Sequence, residues 1–395
     1  MTSMTEFVVG GVRLERPFAI NRLGHFGLYQ RDLSAAIPFY RDLLGLRVTD
    51  AIPHGAEPSQ AQGVFFTFGT DHHALVLLDA EVGKARDDRY SRGVTLNQMS
   101  FQVGTLREVV EAHEFLAARQ VPIWRIGRDV PGSNWAVYAL DLDGHPVELF
   151  YGMEQIGWDR RSKPAGAAEA VRGTPPLPQE AELDELAKAI EASVDLDGGV
   201  RSTDPLPASY DVGGIRLPRP FKVTAIGPIA LFVSDVEAAE KFYSELYGMA
   251  CTERVTYGGR SASYLRIGTD HHVLALVPNS LRDELGFTSS STLMSCGLRL
   301  GSYAQLRDAV AFLQSSGAQV TTDLPHELCP GIEHAAYVTD PDGHRLLLYC
   351  AIEQVGWDGK PKPVELRPKI EKNWPQVLER STQTYAARAF QGPIG

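Results

Sequence analysis

Three polar side chains stand on strand-like segments of this 395-residue chain: His25, Gln98 and Glu148. Side chains alternate across a strand, so each strand has a packed face and an opposite one. On Leu96 to Val103, residues Met99, Phe101 and Val103 form the apolar face, and Gln98, Ser100 and Gln102 form the other. His25 shares its face with Gly27 and Tyr29, and Glu148 stands opposite Val147 and Leu149. A curved sheet that brings the three together makes a cup of imidazole, amide and carboxylate. Such a set suits a divalent cation, with Fe(II), Mn(II) and Zn(II) the usual occupants. Each residue also has a plainer reading. A carboxylate on a buried strand needs a partner, and an arginine serves as well as a cation. Gln98 is equally a hydrogen-bonding strand residue, and a lone histidine is often structural.

The chain supplies its own control, because it carries the same pattern twice. Val9-Gly10-Gly11-Val12-Arg13-Leu14 returns as Val212-Gly213-Gly214-Ile215-Arg216-Leu217, and Asp71-His72-His73 as Asp270-His271-His272. Asp143-Gly144-His145 returns as Asp342-Gly343-His344, and Glu154-Gln155-Ile156-Gly157-Trp158-Asp159 as Glu353-Gln354-Val355-Gly356-Trp357-Asp358. At the three candidate positions the second copy has Pro228, Ser295 and Leu347. The contrast assigns the chemistry to the first copy.

Within each copy the elements come as two β-α-β-β-β modules. In the first, His25 to Tyr29 reads as a strand, and Asp32 caps a helix whose apolar residues recur to Leu44, where Gly45 ends it. Pro38 lies inside that helix and should kink its first turns. Strands follow over Leu46 to Ala51, Val64 to Phe68 and Ala74 to Leu78. The order repeats as strand Gln98 to Val103, helix Leu106 to Arg119, and strands Ile123 to Ile126, Ala136 to Leu140 and Pro146 to Phe150. This gives domains over 1–155 and 211–355, a linker over 156–210 with one acidic helix near Glu180 to Ser193, and a tail over 356–395. The tail has a helical-looking piece near Trp374 to Arg388.

Composition bounds the function. The apolar share is 44% and the charged share 22%, ordinary for a globular protein. A net charge of −11 argues against nucleic acid and anionic membranes as partners. The four cysteines, all in the second half, have no Cys-x-x-Cys spacing, which fits a reducing, cytoplasmic setting. No basic-then-apolar leader or membrane-length apolar run is present.

The modules resemble the vicinal oxygen chelate (glyoxalase/bleomycin resistance/dioxygenase) superfamily. In detail they look like its two-domain type I extradiol ring-cleaving dioxygenases, over residues 20 to 152 and 223 to 352. The matching signatures are Gly24-His25-Phe26, Ala36-x-x-Phe39-Tyr40 with Leu44-Gly45, Asp71-His72-His73, and Tyr138 ten residues before Glu148. The resemblance implies an α+β fold: four βαβββ modules in two tandem domains, each an open curved mixed sheet with helices outside. It implies Fe(II), with Mn(II) as the alternative, held by His25 and Glu148, and by Gln98 where the family carries a histidine. It gives His73 the acid/base role and Tyr138 a contact to the substrate hydroxyl. The implied reaction is ring opening of a catechol-type diol by O2 in the N-terminal domain, in a homo-oligomer. Two departures stand out: Gln98 is neutral and a weaker ligand than imidazole, and the family's catalytic half is usually the C-terminal one.

Repetition also supplies competing readings. His271-His272 and Tyr337 persist where the ligand set is absent, so His73 and Tyr138 have fold-serving alternatives. His145 and His344 read as turn residues, His113 as a core histidine, and the Gly-Trp-Asp repeats as interface or tail-docking elements. Two further functions remain open. One is a metal-dependent glyoxalase-like isomerase or lyase, for which no second carboxylate appears on Ala74 to Leu78. The other is a non-catalytic small-molecule-binding protein in which Gln98 marks a lost metal site.

Overall fold

The computed structural model describes residues 6–287, 290–323, 325–356, 358–367 and 374–378. Most of the helical piece expected over Trp374 to Arg388 lies outside them, as does Trp357. The contacts divide the chain into two compact units. One comprises Met1–Leu33, Arg47–Thr203 and Glu245–Gly248, and the other Ser34–Leu46, Asp204–Ser244 and Met249–Gly395.

In the first unit a small hairpin, β1 (Phe7–Val9) and β2 (Val12–Leu14), turns on Gly10 and Gly11, both at positive φ. The main strands are β3 (Ile20–Gln30), β4 (Arg47–Ile52), β5 (Gly63–Thr67), β6 (Leu75–Asp79) and β7 (Leu96–Val103). They continue as β8 (Ile123–Arg128), β9 (Trp135–Leu140), β10 (Pro146–Tyr151) and the short β11 (Val171–Arg172). They form one open mixed sheet in the order β11-β8-β9-β10-β7-β3-β6-β5-β4. Each module supplies four consecutive strands of that order, and the antiparallel β3–β7 pair joins the modules. Parallel pairing is confined to β3–β6 and β7–β10, where a helix crossover separates the partners.

Helix α3 (Leu106–Ala118) is capped by Thr105, whose hydroxyl accepts the Glu108 amide and donates to the Glu108 carboxylate. Its other oxygen accepts the Ala19 amide at 3.0 Å, tying the helix to the entry of β3. Phe26, Leu28, Phe101 and Leu149 are fully buried, each contributing roughly 1.5–3 kcal/mol by area. The segment after β6 forms α2 (Ala80–Arg86), capped by Asp79, where no helix was expected. Helix α4 (Glu182–Glu191) follows β11.

The second unit holds the hairpin β12 (Tyr210–Val212) and β13 (Ile215–Leu217), and the strands β14 (Val223–Val233), β15 (Ala250–Tyr257), β16 (Arg260–Arg266) and β17 (Leu274–Pro278). With β18 (Leu293–Leu300), β19 (Gln319–Thr321), β20 (Ala335–Thr339) and β21 (Arg345–Tyr349) they form a sheet in the order β15-β16-β17-β14-β18-β21-β20-β19. Helices α5 (Val236–Tyr247) and α6 (Tyr303–Ser315) complete it.

The expected kink at Pro38 takes a specific form. Helix α1 runs only from Leu33 to Pro38, and the chain then widens into a π-type turn over Phe39–Leu43. There the Leu44 amide bonds the carbonyl of Phe39, five residues back. A proline has no amide to offer, so the helical ladder must be rebuilt around it. The second copy has Lys241 at that position, and α5 runs unbroken. Within the second unit Tyr40 is buried, and its hydroxyl donates to Asp340 at 2.9 Å.

Candidate functional site

Strand register, more than any single residue, brings the candidates together in the first unit. Arg125 on β8 pairs with Tyr138 on β9, Tyr138 with Glu148 on β10, Glu148 with Ser100 on β7, and Ser100 with His25 on β3. Directly paired residues project to the same face, so these five form a row across five adjacent strands. Gln98 lies two positions along β7 and pairs with Gly27.

Glu148 is the hub. It is fully buried, and its Oε2 accepts from His25 Nε2 at 2.8 Å, from the Gln98 amide at 3.1 Å and from the Ser100 hydroxyl. Its Oε1 accepts from the Asn134 amide at 2.9 Å. A buried carboxylate without partners would be costly, and four donors remove that cost. Among the described residues no arginine bonds Glu148; Arg125 is instead bound to Asp129. Ser100 and Asn134 had not been singled out. Ser100 shares the polar face with Gln98, and Gly297 at its repeat position was the available signal. Asn134 lies in an aperiodic loop, which gives none.

The donor set fits a divalent ion. Ligands about 2.1 Å from a metal at right angles lie about 3 Å from one another. The His25–Glu148 and Gln98–Glu148 separations of 2.8 and 3.1 Å match that edge. The Gln98 amide turned about its last torsion presents oxygen rather than nitrogen. His25 Nε2 is the nitrogen that faces Glu148, and Nδ1 is buried with no hydrogen-bond partner.

His73 packs its ring against His25 with centroids 4.4 Å apart, and against Phe65 at 5.0 Å. Burial, with His25 and His72 alongside, holds its pKa well below the usual histidine value, so the ring is neutral. Its Nδ1 shares a proton with His72 Nδ1 at 3.1 Å. Gly132 roofs the pair at positive φ; a Cβ there would come within 2.9 Å of His73 Cε1. Tyr138 is buried, its hydroxyl 3.4 Å from Asp129. Burial raises its pKa well above the ordinary tyrosine value, keeping the phenol protonated.

The repeated motifs meet each other. The Gln155 amide donates to Asp71 at 2.8 Å, the Thr70 hydroxyl donates to Gln155 at 3.1 Å, and the His72 amide bonds the Glu154 carbonyl. The second unit repeats this with Gln354, Asp270, Thr269, His271 and Glu353. The Glu-Gln half of each Glu-Gln-x-Gly-Trp-Asp motif thus buttresses the histidine pair, while Trp158 is 99% exposed. His145 and His344 bond Asp141 and Asp340 within their turns, as expected of turn residues. His113 is only half-buried on α3, short of a core position.

Behind His72 lies a further acidic group in each unit. Buried Asp50 is 2.9 Å from His54 Nε2 and 3.9 Å from His72 Nε2. In the second unit Glu253 is 3.1 Å from His271 and is bound by Arg367 at 2.6 Å. The Asp50 carboxylate raises the His54 pKa above its ordinary value, against the opposing pull of burial. His54 in turn helps to lower the Asp50 pKa, against desolvation.

Comparison with known proteins agrees with this architecture. Residues 22–149 and 225–348 match the model of the Glyoxalase/Bleomycin resistance protein/Dioxygenase superfamily. Metapyrocatechase 2 of Cupriavidus necator is 31% identical over 148 residues, 37% of this chain and 39% of that protein. The chain therefore matches about two fifths of that relative's length. Among solved structures, the 2,3-dioxygenase LapB from Pseudomonas sp. KL28 has a TM-score of 0.56 at 18% identity, covering 87% of this chain and 96% of that one. The Mn(II)-bound glyoxalase from Novosphingobium aromaticivorans has a TM-score of 0.56 at 14% identity, covering 86% and 85%. These likenesses establish the fold. No helix among the described residues is long and apolar enough to cross a membrane.

Proposed function

Since this chain belongs to the Glyoxalase/Bleomycin resistance protein/Dioxygenase superfamily, we propose that it is an extradiol dioxygenase, opening a catechol-type ring with O2 at the first-unit row. The observation that carries the proposal is the convergence of His25, Gln98 and Ser100 on one oxygen of Glu148, with Leu347 at the hub position of the second unit. A resemblance in sequence to a protein named as a metapyrocatechase supports the same reading.

His25, Glu148 and the Gln98 amide oxygen would hold the metal, Fe(II) or Mn(II). When bound, it supplies Lewis acidity and a common centre for the diol and O2. Asn134 fixes one Glu148 oxygen, which leaves the other turned toward His25 and Gln98. His73, neutral because it is buried, takes a proton from the diol at a ring nitrogen and returns it to the product. Tyr138, protonated, donates a hydrogen bond to a substrate oxygen. Phe150, 4.8 Å from the His25 ring, gives the diol an apolar wall, and Gly24 leaves room for it because any side chain there would overlap Phe150.

The test is metal content and O2 uptake of anaerobically purified protein on a panel of catechols, with the yellow ring-fission product as readout. About one metal per chain and stoichiometric O2 consumption are expected, with tighter iron binding in Gln98→His. Metal binding with turnover of an enediolate precursor and no O2 uptake would point to the glyoxalase-like reading. Inactivity after reconstitution with both metals would favour a binding protein.

A further inference from the structure

We propose that the first-unit site includes a guanidinium subsite for a carboxylate on the aromatic substrate, formed by Arg125, Arg89 and Arg86 around the Trp124 indole. The identity of the substrate as a diol rests on the ring-cleavage reading; the anion preference does not.

The subsite adjoins the row. Arg125 is its end member, and its guanidinium carbon lies 3.9 Å over the Tyr138 ring and 5.9 Å from the Trp124 ring centre. Trp124 meets Tyr138 edge-to-face at 5.7 Å. From α2 and the loop after it come Arg89 and Arg86, their guanidinium carbons 4.4 and 5.4 Å from the same indole. A guanidinium over an indole face is attracted by the ring quadrupole, but three cations around one ring repel one another.

Charge and hydrogen bonding both favour an anion here. Arg125 is bound to Asp129, which also takes Arg172 at 2.9 Å. Arg89 binds Asp87 through two bonds of 2.9 and 2.7 Å. Exposed Arg86 has no carboxylate partner among the described residues. Three of these guanidiniums thus share two bonded carboxylates and the fourth has none. Arg89 is only 6% exposed, and its Nη1 is buried without a hydrogen-bond partner. An unpaired buried donor on a cation is costly, and a planar carboxylate is the group that guanidiniums bind best. The cluster meets the row at Tyr138, so a carboxylate held here belongs to a molecule that reaches the row.

The cluster follows the same division as the row. Thr321 stands opposite Tyr337 where Arg125 stands opposite Tyr138. Arg345, the guanidinium nearest Tyr337, is bound by the carbonyls of Leu285 and Gly286.

Calorimetric titration of the metal-free full-length protein with 4-hydroxybenzoate and with neutral 4-methylphenol tests the proposal, since neither is a diol. The carboxylate should bind about tenfold more tightly at low salt, the effect of one charge-assisted hydrogen bond, and the gap should narrow as salt rises. Arg86→Gln should reduce the preference, and Arg86→Gln with Arg89→Gln should erase it. Equal binding of the two probes, or a preference untouched by Arg86→Gln, overturns the subsite. Arg86 is exposed, so that variant decides the matter even where Arg89→Gln does not fold. Selective anion binding with no diol ever consuming O2 would fail the ring-cleavage reading and leave the subsite standing. Ring cleavage with flat probe binding would do the reverse.

Discussion

Both sheets carry the same five-position row with different contents. In the first unit it runs Arg125, Tyr138, Glu148, Ser100, His25; in the second it runs Thr321, Tyr337, Leu347, Gly297 and then the irregular Gly227–Pro228 step. Only the tyrosine is shared. The second row is also closed. A Cβ on Gly297 would overlap the backbone of Gly227 and Pro228, and Tyr349 donates to the Gly227 carbonyl at 2.7 Å where the first unit has Phe150. Leu347 and Tyr337 pack with Cys329, Ile332 and Ile352 in one apolar cluster. The histidine pair and its Glu-Gln buttress survive in both units. The difference teaches that the buttress is needed to build the sheet, whereas the polar row is dispensable to it.

Copying the second row into the first gives the sharpest break. Glu148→Leu leaves the His25, Gln98, Ser100 and Asn134 donors without their shared acceptor, so metal content and ring-cleaving activity should both vanish. A folded Glu148→Leu protein that still binds metal and turns over would sink the assignment of the hub. A smaller effect is expected of Ser100→Gly, which removes one hydrogen bond from the hub and keeps the ligands. Metal affinity should fall roughly 10–100-fold, as for other outer partners of a ligating carboxylate, and competition with a chelator measures it. Unchanged affinity would reduce Ser100 to a strand residue.

The smallest effect concerns the acidic residue behind each histidine pair, held by titratable His54 in one unit and by permanently charged Arg367 in the other. The His54 pKa is raised by Asp50, against burial and with lesser help from the Lys163 carbonyl and Glu154. Its contribution is therefore complete below pH about 6.5 and is lost as pH rises through the raised value. His54→Gln should flatten that part of the melting temperature–pH curve by about 2 °C, for roughly 1 kcal/mol of a half-buried charged pair. An identical slope in the variant would show that another group titrates there.

Much of this was legible in the chain. Alternation placed Met99 and Gln98 on opposite faces, and the duplication marked His25, Gln98 and Glu148 as peculiar to one copy. Pro38 announced a break, but not that the turn would widen instead of bending. Arg125 was missed because a bulge interrupts the pairing of β8 between Ile123 and Arg125, so its face cannot be read by counting in twos. Asn134 reaches Glu148 from a loop, and Asp50 lies behind His72 in the neighbouring hairpin, and such contacts leave no periodic trace. The same holds for Tyr40 and Asp340, separated by 300 positions.

The Glu-Gln buttress has a practical consequence for anyone dividing the gene. A fragment ending at Tyr151 would hold His25, Gln98, Glu148, His73 and Tyr138, and would look complete by a roster of side chains. It would lack Glu154, whose carbonyl receives the His72 amide, and Gln155, whose amide steadies Asp71. The last strand is thus not the last part of the site, and a truncation has to be measured past Ile156, whose amide closes on Thr70.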